Sequence, residues 1–183
     1  MNDQHSVCPM EKAVSLEKGW RKWLHHPKKI LKPYVREGMT VLDVGCGPGF
    51  FTIPLAEMVG QNGKVIATDI QQGMLDKVSS KINGTELENR VDLQLTPQDS
   101  LGVTTPVDFV LAFYVLHELP DIEKFLREIK TILKPDGKIL VTDPTFHVSK
   151  EEFARTLELI KRAGFTVISQ PRIWFSRTAL LES

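Results

Sequence analysis

Apolar positions along the chain follow two rhythms in turn. Short runs rich in Val, Ile and Leu occur at 41–44, Lys64–Asp69, Val91–Leu95, Val107–Phe113 and Lys138–Asp143, and they read as strands. Val107–Phe113 is interrupted only by Asp108, the composition of a central parallel strand covered on both faces. Between these runs apolar residues recur three and four apart, which predicts helices over Phe50–Val59, from about Gln71, over Ile122–Leu133 and over Lys150–Ala163. Asn62-Gly63 announces the second strand, Lys134-Pro135-Asp136-Gly137 ends a helix and turns the chain into the fifth, and Gly164 closes the last helix. Phe165–Gln170 and Ile173–Leu181, split by Pro171-Arg172, predict a closing hairpin. Seven strands alternating with helices predict an α/β fold, a doubly wound sheet with helices on both faces. Ahead of it, Leu16, Trp20, Trp23 and Leu24 form one face of a helix over Glu11–Leu24, and Lys28–Val35 forms a second short one. The chain therefore divides into an N-terminal helical segment, 1–37, and one domain, 38–183.

The chemistry concentrates where the first strand ends. Val41-Leu42-Asp43-Val44-Gly45-Cys46-Gly47-Pro48-Gly49-Phe50 runs from strand into a turn with glycine at alternate positions, and a helix follows. Main chain without Cβ atoms lets a ligand lie against it, and the helix start adds unpaired N–H groups and a positive dipole end. The spacing is not that of a dinucleotide loop, Gly-x-Gly-x-x-Gly, because the third glycine comes one residue early. Nor is it a Walker loop, since Phe51-Thr52 stands where Lys-Ser/Thr would be needed. Asp69 ends the second strand twenty residues beyond Gly49, where a doubly wound nucleotide site places an acid for the ribose hydroxyls; the same side chain also suits a cap on the helix that follows. Ligands in such sheets bind outside the carboxyl ends of the strands, which brings Ala112, Phe113, Tyr114 and His117 to the reacting end.

Asp43-Val44-Gly45-Cys46-Gly47-Pro48-Gly49 resembles the first motif of the class I S-adenosylmethionine (SAM)-dependent methyltransferases. Val115-Leu116-His117-Glu118-Leu119 and Lys134-Pro135-Asp136-Gly137 are similar to later segments of the small-molecule, quinone-biosynthesis type. The resemblance implies an antiparallel last strand and SAM as methyl donor, with S-adenosylhomocysteine as product. It implies a SAM site made of Asp43, Gly45, Cys46, Gly47, Gly49, Phe50, Asp69, Ala112 and Phe113, with Ile70 and Met74 flanking the adenine and Gln98 or Asp99 contacting its amino group. Asp99 serves equally well as a helix cap. The N-terminal segment is implied to close over the ligand, making Trp20, Trp23 and Tyr34 candidates for the acceptor side. His117 is the candidate general base and Tyr114 a residue to orient the acceptor; packing is the competing role for His117. Cys46 satisfies the loop's demand for a small residue.

Composition narrows the partners. Twenty-three basic and twenty-three acidic residues cancel, so no global field calls for nucleic acid or a membrane. The Asn/Asp-Pro-Pro-Tyr/Phe clamp of enzymes that methylate nucleic-acid bases is absent. Residues 1–37 are locally basic, with eight Lys/Arg against four Asp/Glu. Two cysteines, Cys8 and Cys46, suggest no disulfide framework, and with no signal peptide or membrane-length apolar run the expectation is a cytoplasmic protein. His25-His26 lacks the companions of a metal site. The expected activity is methyl transfer to a small-molecule acceptor by in-line displacement, monomer and homodimer both remaining open. A SAM-binding regulatory module without turnover, a protein or RNA methyltransferase docking through the basic segment, and an NAD dehydrogenase are the alternatives.

Overall fold

The computed structural model describes residues 26–183. The expected helix over Glu11–Leu24, with Trp20 and Trp23, and Cys8 lie outside the described residues. The elements are α1 (Pro27–Leu31), β1 (Thr40–Val44), α2 (Thr52–Val59), β2 (Lys64–Asp69), α3 (Gln72–Ile82), β3 (Val91–Leu95), β4 (Val107–Phe113), α4 (Ile122–Ile132), β5 (Leu133–Pro144), α5 (Lys150–Arg162), β6 (Thr166–Ser169) and β7 (Ser176–Glu182). His26 is the residue before α1 and Pro27 its first, the helical position where a missing N–H costs nothing. Among the described residues no group of His, Cys, Asp and Glu is arranged to hold a metal.

One seven-stranded sheet runs in the order β3-β2-β1-β4-β5-β7-β6. β1 pairs in parallel with β2 and β4, β2 with β3, and β4 with β5; β7 lies antiparallel to both β5 and β6. The antiparallel last strand is thus observed, and the closing hairpin is confined to its two short strands. Alternation along the strands divides the core. Leu42, Val110, Ala112, Ile139 and Val141 face α4 and α5, through Leu126, Ile129, Phe153 and Ile160. Val41, Val65, Phe109, Leu111 and Leu140 face α1 and α2, through Leu31, Phe51 and Leu55. Ala67 meets α3 through Leu75 and Val78.

Local chemistry sets the helix ends on the α4 and α5 side. The Asp121 side chain accepts from Lys124 N–H at the start of α4, and Ser149 and Glu152 make a reciprocal capping box at the start of α5. One expectation is corrected. β5 begins at Leu133, not Lys138, because Leu133 already pairs with Val107; the Lys134–Gly137 turn is an excursion within the ladder, which resumes at Phe109 and Lys138. Asp136 holds a left-handed φ of 64° in that excursion. Strand order reverses between β1 and β4, so their carboxyl ends splay into a crevice, the place where open α/β sheets bind ligands.

Candidate active site

The glycine loop hangs from the carboxyl end of β1 and is tied down on both sides. Cys46 N–H donates to the Thr68 carbonyl at 2.9 Å, and the Lys81 ammonium donates to the Pro48 carbonyl at 2.7 Å. Gly45, Gly47 and Gly49 take φ of 62°, 53° and 88°, the left-handed region that side chains resist. Gly45 is also short of room, since a Cβ there would meet Val115 Cγ2 at 2.5 Å. Gly47 is the opposite case: a Cβ would meet nothing within 4 Å. The bare main chain at Gly47 faces open space.

Asp69 is the fastener of this loop. One carboxylate oxygen accepts from Gly47 N–H and the other from Gln71 N–H, each at 2.9 Å. Its carboxylate thus fixes the turn into α3 and stands on the cavity wall. Burial pushes its carboxyl up, and the backbone donors pull it back. Asp43 lies beneath the loop, 2% exposed, and accepts from the Thr52 hydroxyl at 2.7 Å. Burial drives the Asp43 carboxyl up to about 7, with the Thr52 hydrogen bond opposing and Asp69 adding repulsion. Burial likewise raises the Cys46 thiol, and Asp43 and Asp69 reinforce that rise. Cys46 is thus a neutral thiol filling a tight turn.

These groups open on a cavity of about 280 Å³. Gly45, Cys46, Gly47, Phe50, Asp69, Ile70, Met74, Gln98, Phe113, Tyr114 and His117 line it, so the structure brings most of the expected residues to one wall. Four expected residues are elsewhere. Asp43 is under the loop, Ala112 is sealed in the core, and Gly49 is turned toward Val78 at the back of the loop. Asp99 points away with its side chain 74% exposed and 3.5 Å from the Lys124 ammonium, and no helix begins there for it to cap; Gln98 beside it is the residue on the wall. Tyr34 also departs from expectation: it stacks on Phe109, with ring centroids 5.8 Å apart, and borders a separate cavity between α1 and the β6–β7 connection.

Beyond β4 the wall turns polar. Tyr114 holds a left-handed φ of 65° because its N–H continues the ladder to the Thr142 carbonyl at 2.7 Å; its hydroxyl lies 2.7 Å from Ser176 Oγ on β7. A short 3-10 turn, Leu116–Glu118, presents His117. His117 Nδ1 is 2.8 Å from Asp143 Oδ1 at the end of β5, and the His147 ring stacks on His117 at 5.8 Å. Glu118, whose carboxyl is raised chiefly by burial, approaches His117 Nε2 to 3.9 Å. Asp143, Glu118 and His147 went unnoticed in the sequence. The one available signal was that an acid closing a strand beside β4 must reach the same crevice.

Comparison with known proteins decides the family. A family model described as a methyltransferase domain matches residues 35–173. The chain belongs to that family. This methyltransferase-domain chain is 38% identical over 133 residues to a demethylmenaquinone methyltransferase of Lactobacillus johnsonii, covering 71% of the chain and 52% of that protein. It is 29% identical over 140 residues to the protein of the same name from Bacillus cereus (strain ATCC 10987), covering 76% and 57% respectively. The chain thus spans about half the length of the curated relatives it matches. Its fold superposes on the crystal structure of a SAM-dependent methyltransferase from Aquifex aeolicus with a TM-score of 0.83 at 30% identity, covering 95% of this chain and 99% of that one. No helix among the described residues is long and apolar enough to cross a membrane.

Proposed function

We propose that the chain transfers a methyl group from SAM to a small-molecule acceptor. The observation that carries this reading is the carboxylate of Asp69 bridging the glycine loop and the end of β2 on the wall of the crevice. Those residues fit an adenosyl ligand: the open space over Gly47 admits one against bare backbone, and an acid beside it suits ribose hydroxyls. In this reading Gly45, Cys46, Gly47 and Phe50 hold the amino-acid end, Asp69 the ribose, and Ile70, Met74 and Gln98 the adenine. Asp43 acts from below by fixing Thr52 and, when ionised, by adding negative potential under a cationic ligand. When bound, SAM supplies a methyl group on a sulfonium, open to in-line displacement.

The protein's own contribution is alignment and exclusion of water. Phe50, Phe113, Leu119 and Phe125 give the cavity a largely apolar wall, which disfavours water around a reaction in which charge is dispersed. Tyr114 and His117 face the acceptor. Holding the acceptor atom on the line of the breaking bond is the main catalytic device available. The names of the relatives support a reduced naphthoquinone as the first acceptor to try. The test is calorimetry with SAM and with NADH, followed by measurement of S-adenosylhomocysteine release with 1,4-naphthoquinol. SAM binding and turnover support the reading, and preference for NADH overturns it. SAM binding without turnover across a panel of acceptors would favour a regulatory module.

A further inference from the structure

The methyl-transfer reading leaves open which acceptors the site can activate, and the polar corner beyond β4 speaks to that. Asp143 is 1% exposed and does not line the cavity, whereas His117 and Glu118 do. The carboxylate therefore stands behind the imidazole, and the cavity lies on the other side. Its Oδ1 is 2.8 Å from His117 Nδ1, within hydrogen-bond range, while Glu118 Oε1 is 3.9 Å from Nε2, beyond it. A carboxylate accepts and cannot donate, so the short contact selects the imidazole form with its proton on Nδ1. Nε2 is then left with a lone pair on the cavity side. The other titratable groups facing the ring are Glu118 from the 3-10 turn and His147 from the segment after β5. Asp69 acts only at longer range, through its repulsion of Glu118.

We propose that Asp143 is a positioning residue that holds His117 in the Nδ1–H form, making Nε2 the proton acceptor for a substrate with an acidic hydroxyl: a phenol, an enol or a hydroquinol. The proposal rests on the methyl-transfer reading. In the step it describes, the hydroxyl proton passes to Nε2 and the O–H electron pair stays on the acceptor. That pair, on oxygen or delocalised to a conjugated ring carbon, forms the bond to the methyl carbon while the carbon–sulfur pair remains on sulfur. The imidazolium that results is paired with the Asp143 carboxylate and returns its proton to water. An amine or a preformed thiolate needs no such base.

The first test needs no acceptor. Two-bond 1H–15N correlation spectra of the 15N-labelled protein, with and without S-adenosylhomocysteine and at a pH where the ring is neutral, report which nitrogen of His117 carries the proton; His117→Gln assigns the signal. A protonated Nδ1 is expected, and a protonated Nε2 overturns the proposal. In Asp143→Ala the proton should move to Nε2, the form a free imidazole side chain prefers. Turnover of 1,4-naphthoquinol should fall about 100-fold in kcat, the lower end for losing general base catalysis, with KM and S-adenosylhomocysteine affinity changed by less than about threefold; Asp143→Glu should restore part of both the proton position and the rate. Unchanged turnover in Asp143→Ala overturns the proposal, as does an equal loss of rate with 1-naphthylamine, an amine acceptor that should be methylated at the same rate in wild type and variant. Failure to bind S-adenosylhomocysteine would sink the methyl-donor reading instead, and the proton position on His117 is read independently of it.

Discussion

Asp43→Asn isolates the buried carboxylate under the glycine loop. The Asp43 carboxyl sits at about 7 in the folded chain, raised chiefly by burial, against roughly 3.9 for an aspartate in an unfolded chain. Between those values the folded state holds a proton that the unfolded state has released. Stability from this group is therefore fully present below about pH 3.9 and is lost as pH rises through about 7. At about 1.4 kcal/mol for each unit, the shift corresponds to a loss on the order of 4 kcal/mol, which is an upper bound because buried sites behave as if more polarisable than a dry interior. Asparagine keeps an acceptor for the Thr52 hydroxyl and has no charge to desolvate. Any misfit of its NH₂ group is a pH-independent offset. In urea unfolding of ligand-free protein, the variant's stability relative to wild type should rise between pH 4 and pH 8 by about 1–4 kcal/mol and level off above. Titrating groups remote from Asp43 behave alike in both proteins and cancel in the difference, which leaves Asp43 and its coupling to Asp69 and Cys46. A difference that stays flat across this range would refute the reasoning, since it would mean that Asp43 is ionised throughout and finds a compensating positive group.

Two further outcomes follow from the loop. Asp69→Ala should weaken SAM binding in calorimetry by about 1–3 kcal/mol, the range for losing hydrogen bonds to a charged group, and should also lower the melting temperature because the Gly47 and Gln71 N–H groups lose their acceptor; unchanged affinity would remove Asp69 from the ligand site. Gly45→Ala should destabilise by at least about 2 kcal/mol, combining a left-handed φ with the clash against Val115. Val115→Ala in the same chain should recover the steric part in a double-mutant cycle, and additive losses would place the whole cost in the backbone.

Much of this fold was legible because its strands carry their own boundaries. β2 and β4 fall where the apolar runs begin and end, since a parallel strand covered on both faces has few polar residues to blur its limits; β3, at the sheet edge, shows its bounds instead by alternating Val91, Leu93 and Leu95 with Asp92 and Gln94. The start of β5 was not legible. Lys134-Pro135-Asp136-Gly137 has turn chemistry and does turn, but the pairing of Leu133 with Val107 before it depends on a strand more than twenty residues away. Asp99 failed for a related reason. Within the 96–100 stretch, only the path of the loop decides whether Gln98 or its neighbour meets the cavity, and Lys124 on α4 offers the exposed carboxylate a counterion.

The candidate site divides along the same line. Its glycine-loop half was readable because the features that define it, alternate glycines and an acid at a strand end, are fixed by local conformational needs: positive φ at Gly45 and Gly47, and main-chain donors at Gly47 and Gln71 within reach of one carboxylate. Its polar half, beyond β4, is assembled from residues that no local pattern links. His117 follows β4, Asp143 ends β5, His147 lies beyond it and Ser176 begins β7. They converge only because β4, β5 and β7 are neighbours in the sheet. A change at 143 or 176 alters what stands behind His117 or Tyr114 without touching the glycine loop, so in the proposed reading the groups facing the acceptor are exchangeable at little cost to the groups facing the donor.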